Sequence, residues 1–231
     1  MSGLFILGST GLVGSQTVKY GLESKEFDKV VTVTRSLPDF ATDSKVDSIV
    51  ESDTSKWSDI IHNIKPSPLA FISAFGTTRA KAGSAEKFKE IDYGINYESA
   101  KAAKANGAKV CVLVSAYGAS ATSLFLYMKT KGELEDAIID LKFDYTIILK
   151  PGVLIGERKE DHGLGNSLAM KVGKWVQGTW LSPLVQPIDA SDVGRLAIDF
   201  AERGLKGDLK ESVLKVGAPE MIKLAENFKS V

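Results

Sequence analysis

The chain has 231 residues, with 29 basic and 29 acidic side chains, one cysteine and two histidines. A net charge of zero argues against a protein that binds nucleic acid or anionic membranes through its overall charge, because such binding needs an excess of lysine and arginine. One cysteine excludes an intrachain disulfide and a multi-cysteine zinc site, and two histidines argue against a histidine-rich metal centre. We therefore predict no metal site and no nucleic-acid partner.

Short apolar runs alternate along the chain with longer amphipathic segments. The apolar runs are predicted as strands: Leu4–Leu7, Val30–Thr34, Val46–Val50, Leu69–Ala74, Lys109–Ser115, Tyr145–Leu149 and Ser212–Val216. The segments between them are predicted as helices: Leu12–Glu23, Ser55–Asn63, Ala85–Ala105, Ser123–Leu141, Leu168–Val176, Ala190–Glu202 and Pro219–Lys229. Several strands are apolar throughout, which is typical of strands covered on both faces. This alternation predicts one α/β domain over residues 1–231, with a doubly wound parallel sheet.

A glycine-rich segment joins the first predicted strand to the first predicted helix. Glycines at such a junction let the backbone turn tightly and approach a pyrophosphate, which the free amides of the helix N-terminus then stabilise. The spacing is Gly-x-x-Gly-x-x-Gly, whereas the standard fingerprint is Gly-x-Gly-x-x-Gly. The alternative is a glycine turn that binds nothing. The position of the segment favours a dinucleotide-binding loop formed by Gly8, Thr10, Gly11, Leu12, Val13 and Gly14.

The residue that ends the second predicted strand bears on the type of dinucleotide. Arg35 lies 21 residues after Gly14, about where a residue that contacts the adenosine ribose is expected. An acidic residue there accepts hydrogen bonds from a free 2′-hydroxyl, whereas an arginine offers a planar fork to a 2′-phosphate. We therefore predict NADP (NADPH) as the cofactor in preference to NAD. The alternative is a solvated loop arginine.

A serine, a tyrosine and a lysine form the predicted catalytic group. Tyr127 and Lys131 are four residues apart on a predicted helix, so that their side chains share one face. Ser115 ends the fifth predicted strand, 12 residues before Tyr127. Because the carboxyl ends of parallel strands face the ligand crevice, we expect Ser115 and Tyr127 to converge beside a bound nicotinamide. Each residue alone also has a plain structural explanation, as a strand-end serine, an amphipathic tyrosine and a solvated lysine.

This combination resembles the short-chain dehydrogenase/reductase superfamily, whose members have a Rossmann-type fold. The resemblance covers nearly the whole chain and is strongest to the atypical branch that contains the Tat-interacting oxidoreductase of animals and its fungal mitochondrial relatives. The segments that carry this closer likeness are Phe75–Arg79, Asp92–Tyr93, Tyr127–Glu135, Lys142–Tyr145 and Lys150–Leu154.

The resemblance implies a role for each member of the predicted catalytic group. Tyr127 exchanges a proton with the substrate oxygen while hydride passes to or from the nicotinamide. Lys131 hydrogen-bonds the ribose hydroxyls, and its cation favours the phenolate form of a nearby tyrosine. Ser115 holds the substrate oxygen and stabilises developing charge. We therefore expect an NADP-dependent oxidoreductase that acts on a small carbonyl compound or alcohol.

Further cofactor contacts are predicted after other strands. Asp53 lies where family members contact adenine, or else it caps the helix that begins near Ser55. Gly76 and Thr77 line the nicotinamide ribose or form a plain turn. Pro151 and Val153 resemble the segment that lies behind the nicotinamide ring. A small substrate and lid region is expected from about residue 152 onward, with substrate specificity set by residues 156–187, which include His162, Trp175 and Trp180.

In an alternative function, the chain has the same fold and binds the same cofactor but catalyses hydride transfer only weakly. In that case the chain is a catalytically weak NADP(H)-binding sensor or scaffold that acts through protein partners. The resemblance also implies a mitochondrial location, peripheral at the outer membrane, with the cytoplasm as the alternative. It further implies a homodimer, since superfamily members often pair through the helices that include the tyrosine and the lysine.

Overall fold

The apolar runs of the sequence form a seven-stranded sheet in which all strands are parallel. The computed structural model describes residues 2–156 and 186–228. The strands of this sheet are β1 Gly3–Leu7, β2 Lys29–Thr34, β3 Val46–Val50, β4 Ala70–Ser73, β5 Val110–Val114, β6 Tyr145–Lys150 and β9 Val213–Gly217. They lie in the order β3-β2-β1-β4-β5-β6-β9. The predicted doubly wound fold and all seven predicted strands are thereby confirmed.

Helices cover both faces of this sheet. Their bounds are α1 Leu12–Glu23, α2 Trp57–Asn63, α3 Arg79–Ala82, α4 Ala85–Lys89, α5 Asn96–Ala105, α6 Leu126–Asp140, α7 Ala190–Lys206 and α8 Ala218–Asn227. Strand residues alternate between the two layers. In β1, for example, Leu4 and Ile6 pack with α1, α7 and α8. Phe5 and Leu7 face the other way and pack with α2, α5 and α6.

Several short elements were not predicted from the sequence. Two 3-10 turns, Asp39–Thr42 and Thr54–Lys56, precede β3 and α2, and Arg79–Ala82 is a single helical turn capped by the Thr78 hydroxyl. The segments β7 Leu154–Ile155 and β8 Ile188–Asp189 form a separate two-stranded parallel pair. Such short pieces carry no hydrophobic periodicity, which explains why the pattern of the sequence did not indicate them.

The predicted helix Ala85–Ala105 differs from the structure in its middle. Residues Glu90–Ile95 form a π-helical turn between α4 and α5. Within it the side-chain amide of Asn96 donates to the main-chain carbonyl of Asp92 at 2.9 Å. A side chain that hydrogen-bonds the backbone in this way competes with the regular helical ladder. Turns of this type are frequent at functional sites, and Asp92 belongs to the site described below.

The helix that carries the tyrosine and the lysine begins at Leu126, three residues later than predicted. The residues before it form a turn, in which the main-chain amide of Phe125 donates to the Ser123 hydroxyl at 3.2 Å. Serine side chains often bond the backbone of a turn in preference to continuing a helix. The predicted helix Leu168–Val176, together with His162, Trp175 and Trp180, lies outside the described residues.

Neither a membrane-spanning helix nor a cluster of metal ligands lies within residues 2–156 and 186–228. No helix of those ranges combines the length and the apolar character needed to cross a membrane. The uncharged stretch Val110 to Met128 consists of β5 followed by an irregular turn and the first residues of α6. In the same ranges, no group of three or more histidine, cysteine, aspartate or glutamate side chains is placed to hold a metal ion.

Candidate functional site

The order of the strands places a crevice between β1 and β4. The chain runs outward from β1 to β2 and β3, then returns to the other side of β1 and continues through β4, β5 and β6. In open parallel sheets, ligands bind at this reversal, outside the carboxyl ends of the strands. The loops that follow β1 and β4 touch there. Gly8 has φ +81, and a Cβ on it would lie 2.7 Å from the Cα of Phe75, so only glycine fits.

The glycine loop continues from this contact into α1. The Gly11 amide donates to the Gly8 carbonyl at 2.9 Å, which closes a tight turn. A Cβ on Gly14 would lie only 1.9 Å from that same carbonyl oxygen. Val13 is buried. Because its side chain has no polar atom, only its main chain can offer a hydrogen-bonding group to a ligand. Thr10 is exposed and Leu12 half-buried.

Two further features of this loop fit the phosphates of a dinucleotide. The cap residue of α1 is Gly11, which has no side chain to cap the helix, so the amides of the first turn can bind an anion. The Ser9 hydroxyl is fully buried and has no hydrogen-bond partner among the described residues. A buried hydroxyl without a partner is costly, and a bound phosphate would satisfy it. The loop therefore suits the pyrophosphate of NAD(P).

Arg35 and Asp53 lie on the β2–β3 side of the crevice. Arg35 directly follows β2, is exposed and has no hydrogen bond or ion pair among the described residues. Asp53 follows β3 and caps the 3-10 turn Thr54–Lys56, since its carboxylate accepts from the Ser55 amide at 3.0 Å and the Ser55 hydroxyl at 2.6 Å. These two hydrogen bonds, the one from the Ser55 side chain foremost, lower the pKa of Asp53. The structure thus gives Asp53 the capping role that was the alternative.

On the other side of the crevice, a buried ion pair joins α6 to the π-helical turn Glu90–Ile95, which in turn binds the loop after β4. The Lys131 ammonium lies 2.9 Å from Oδ1 of Asp92, and both side chains are buried. The Thr77 amide donates to the other oxygen of Asp92 at 2.8 Å. A Cβ on Gly76 would lie 3.2 Å from the Lys131 Nζ. Gly76, Thr77 and Lys131, which the sequence placed on different elements, are therefore brought together.

The predicted catalytic serine, Ser115, is bound by a glutamate of α6 that lies on the same helix face as Tyr127 and Lys131. Ser115 follows β5 directly, and its hydroxyl donates to Oε1 of Glu135 at 2.5 Å. Glu135 lies four residues after Lys131 and is 2% exposed. Its other oxygen accepts from Lys150 Nζ at 2.8 Å, and the same ammonium donates to the carbonyl of Ala119 at 2.8 Å.

Tyr127 occupies the open end of this helix face. Its ring packs against Phe88, with the ring centroids 5.8 Å apart. The side chain is 39% exposed, and its hydroxyl has no hydrogen-bond partner among the described residues. A phenol that is anchored by its ring and open at its hydroxyl is well suited to contact a ligand.

Pro151 and Val153 follow β6, at the same carboxyl edge of the sheet. The carbonyl of Pro151 accepts from the Tyr117 amide at 2.8 Å, which ties the loop after β6 to the loop after β5. The carbonyl of Val153 accepts from the Ile188 amide at 3.0 Å. The Val153 side chain is 39% exposed, so it is available to a bound ring.

Asp92, Glu135 and Lys150 were not predicted as site residues. Tyr127, Lys131 and Glu135 recur every four residues on one helix, so that spacing could have indicated Glu135. Asp92 carried no such signal, because its partner Lys131 lies 39 positions away in the sequence. Lys150 ends an apolar strand, where a single lysine usually reaches solvent.

Comparison with known proteins agrees with this geometry. Residues 8–175 match the model of a protein family described as NAD(P)H-binding. The chain belongs to this NAD(P)H-binding family.

Individual relatives support the assignment. The mitochondrial protein FMP52 of Lodderomyces elongisporus is 67% identical over 99% of this chain and 98% of its own length, which confirms the predicted likeness to fungal mitochondrial relatives. A UDP-glucose 4-epimerase from Stenotrophomonas maltophila, solved with bound NAD, aligns with TM-score 0.70 and 12% identity over 94% of this chain and 77% of its own. A short chain dehydrogenase family protein from Francisella tularensis aligns with TM-score 0.65 and 14% identity over 96% and 99%. These two structures share the fold of the NAD(P)H-binding chain.

The buried ion pair leads to a prediction about stability. Replacement of Lys131 by Met leaves the Asp92 carboxylate buried without its cation, so we expect the free energy of unfolding to fall by about 3–5 kcal/mol. The double variant Lys131→Met/Asp92→Asn removes that charge and should regain most of the loss. The measurement is urea unfolding followed by circular dichroism.

Lys129→Met is the matched control on the same helix. Lys129 is exposed and lies 4.0 Å from Glu133, and exposed pairs of this kind contribute only about 0–1 kcal/mol. Equal losses for Lys129→Met and Lys131→Met would contradict a stabilising role of the buried pair.

Proposed function

We propose that this chain is an NADP-dependent oxidoreductase that transfers hydride between the nicotinamide and a small carbonyl compound or alcohol. The observation that carries the proposal is the position of Lys131. Its ammonium lies against Gly76 at the carboxyl end of β4, one helical turn from the open Tyr127 hydroxyl. A tyrosine and a lysine are thus held beside the crevice that suits a dinucleotide.

The residues around the crevice divide into three groups for binding. The glycine loop 8–14 would hold the pyrophosphate, while Arg35 and the segment near Asp53 would hold the adenosine half. Gly76, Thr77, Lys131, Pro151 and Val153 would hold the nicotinamide half, since they follow β4 and β6 or face them from α6. This division follows from the strand order, because a dinucleotide crosses the sheet at the reversal between β1 and β4.

The chemistry assigned to the chain is a proton transfer beside the hydride transfer. The nicotinamide, when bound, supplies or accepts the hydride. In the reducing direction the Tyr127 hydroxyl donates its proton to the carbonyl oxygen, and in the oxidising direction the Tyr127 phenolate takes the proton from the alcohol. Lys131 would hydrogen-bond the ribose hydroxyls of the bound cofactor, as the family resemblance implies. Ser115 contacts the substrate oxygen and keeps it within reach of Tyr127.

Loss of the Tyr127 hydroxyl tests the assigned chemistry. We expect Tyr127→Phe to lower kcat by about 10²–10⁴-fold, since this is the usual contribution of a placed acid or base. The affinity for NADPH should change little, because the ring and its contact with Phe88 remain. The measurement is NADPH consumption across a panel of small aldehydes and ketones, with cofactor binding followed by fluorescence titration.

Tyr97→Phe is the matched control, since Tyr97 also stacks on another ring, that of Tyr93, at 5.8 Å. It should leave kcat unchanged. Tight NADPH binding by the wild type without turnover of any carbonyl compound would contradict the enzyme proposal. That outcome would favour a cofactor-binding sensor or scaffold.

Arg35 tests the preference for NADP. A charge-assisted hydrogen bond to the 2′-phosphate contributes about 1.5–3 kcal/mol, so Arg35→Ala should weaken NADPH binding by about 10–100-fold. NADH lacks this phosphate, so the affinity of the variant for NADH should change little. Arg203→Ala, which alters a half-buried arginine of α7 paired with Asp199, serves as the control. An unchanged ratio of NADPH to NADH affinity in Arg35→Ala would instead support an enzyme that prefers NAD.

We also propose that the chain is a mitochondrial protein, attached peripherally to the outer membrane. The mitochondrial location is supported by the relative from Lodderomyces elongisporus, the mitochondrial protein FMP52, and the attachment to the outer membrane by the family resemblance. Fractionation of cells that express the tagged chain should recover it with mitochondria, and alkaline carbonate should release it. Recovery in the cytosol alone would contradict this location. Homodimer formation stays a prediction, which light scattering would test.

A further inference from the structure

The Asp92 carboxylate contacts two parts of the predicted ribose site that belong to different elements. One oxygen faces the Lys131 ammonium of α6 at 2.9 Å, and the other accepts the main-chain amide of Thr77, in the loop after β4, at 2.8 Å. Asp92 is 0% exposed and Lys131 is 5% exposed, so water has little access to the ion pair. One buried side chain therefore connects both parts of the site.

The main chain of Asp92 is itself fixed to the sheet. The side-chain amide of Asn96 donates to the Asp92 carbonyl at 2.9 Å and to the Phe75 carbonyl at 3.3 Å. The Ser73 hydroxyl, at the end of β4, donates to the side-chain oxygen of Asn96. These hydrogen bonds hold the π-helical turn Glu90–Ile95 against β4, so the carboxylate extends from a fixed main-chain position.

The Lys131 ammonium has hydrogen-bonding capacity to spare. An ammonium group carries three hydrogens, and among the described residues no hydrogen bond joins this one to a group other than Asp92. It lies beside Gly76, where a Cβ would come within 3.2 Å of the Lys131 Nζ and 3.0 Å of the Asp92 oxygen. Because a lysine side chain has a flexible four-carbon stem, its remaining hydrogens serve a ligand well only when the ammonium is held in place.

We propose that Asp92 is a positioning residue that holds Lys131 and the Gly76–Thr77 segment in the arrangement that binds the ribose on the nicotinamide side. The carboxylate engages one side of the ammonium and leaves the remaining hydrogens for the ribose hydroxyls. It also occupies the Thr77 amide, so Thr77 contacts a ligand through its side chain or its carbonyl. This inference rests on the proposed function and deepens it, because it assigns the group that orders the ribose site before the cofactor binds.

Asp92→Asn tests this role, since it nearly keeps the shape of the side chain and removes its charge. A buried ammonium without a counter-charge is costly, so we expect Lys131 to turn toward water and away from Gly76. A displaced ammonium loses its charge-assisted hydrogen bonds to the ribose. The loss of one such bond lowers affinity by about tenfold or more.

Two ligands that differ only by a ribose separate this effect from a general loss of structure. ADP-ribose has the second ribose and ADP lacks it, and neither ligand has a 2′-phosphate or a nicotinamide. We expect Asp92→Asn to raise the dissociation constant of ADP-ribose about tenfold and to leave that of ADP nearly unchanged. Titration followed by nuclear magnetic resonance of the ligand measures both constants.

A double-variant cycle tests whether Asp92 acts through Lys131. Lys131→Met alone should raise the dissociation constant of ADP-ribose as Asp92→Asn does. In the Lys131→Met background, Asp92→Asn should leave the ratio of the two dissociation constants unchanged, because the donor that Asp92 positions is then absent. A second loss of affinity for ADP-ribose in the double variant would overturn the inference.

Glu90→Gln is the matched control on the same π-helical turn, because Glu90 is exposed and pairs with Lys87 at 2.8 Å. It should leave the affinities for both ligands as in the wild type. Equal losses for ADP and ADP-ribose in Asp92→Asn would overturn the inference, as would unchanged binding of ADP-ribose. Binding of neither ligand to the wild type would also overturn it.

A crystal structure of the wild type with ADP-ribose tests the arrangement without any variant. We expect Lys131 to keep its contact with Asp92 while it donates to the ribose hydroxyls, and a lysine that has left Asp92 would overturn the inference. This measurement also separates the two proposals. A protein that shows this arrangement but turns over no carbonyl compound would contradict only the proposed function.

Discussion

The close approach of two backbone loops is the constraint on which the candidate site depends. The loop after β1 and the loop after β4 meet at Gly8 and Phe75, where a Cβ on Gly8 would lie only 2.7 Å from the Cα of Phe75. This contact is possible because β1 and β4 are neighbours in the sheet, although two other strands separate them in the sequence. It brings the glycine loop, the N-terminus of α1 and the Gly76–Thr77 segment to one crevice. Any side chain at Gly8 would separate them.

Helix α6 carries two of the three residues of the predicted catalytic group and the acid that binds the third. Three of its residues, spaced by four, point to three different surroundings. Tyr127 is open at its hydroxyl, Lys131 pairs with buried Asp92, and Glu135 holds Ser115. The two buried acids cost free energy unless they are paired, so their partners hold the helix at a defined depth against the loops after β4 and β5. The packing that stabilises the helix thus also orients the predicted catalytic group.

Much of this arrangement could be predicted from the sequence, because the patterns involved are local. The seven apolar runs predicted the strands, and the glycine spacing between β1 and α1 predicted a phosphate-binding turn. The four-residue interval predicted a shared face for Tyr127 and Lys131. Other features depend on partners that are distant in sequence. The ion pair of Asp92 with Lys131 and the hydrogen bond from Ser115 to Glu135 each join two different elements of the fold.

The sequence by itself determined the doubly wound α/β fold, the position of the glycine loop and the identity of the predicted catalytic group. Periodicity, glycine spacing and residue type are properties of short segments, so they are readable without a fold. Only the tertiary structure decided that Lys131 pairs with Asp92 and that the Ser115 hydroxyl donates to Glu135. These outcomes depend on which charges and hydrogen-bonding groups become buried side by side. That choice is made when the helices pack on the sheet, where an unpaired polar group is costly.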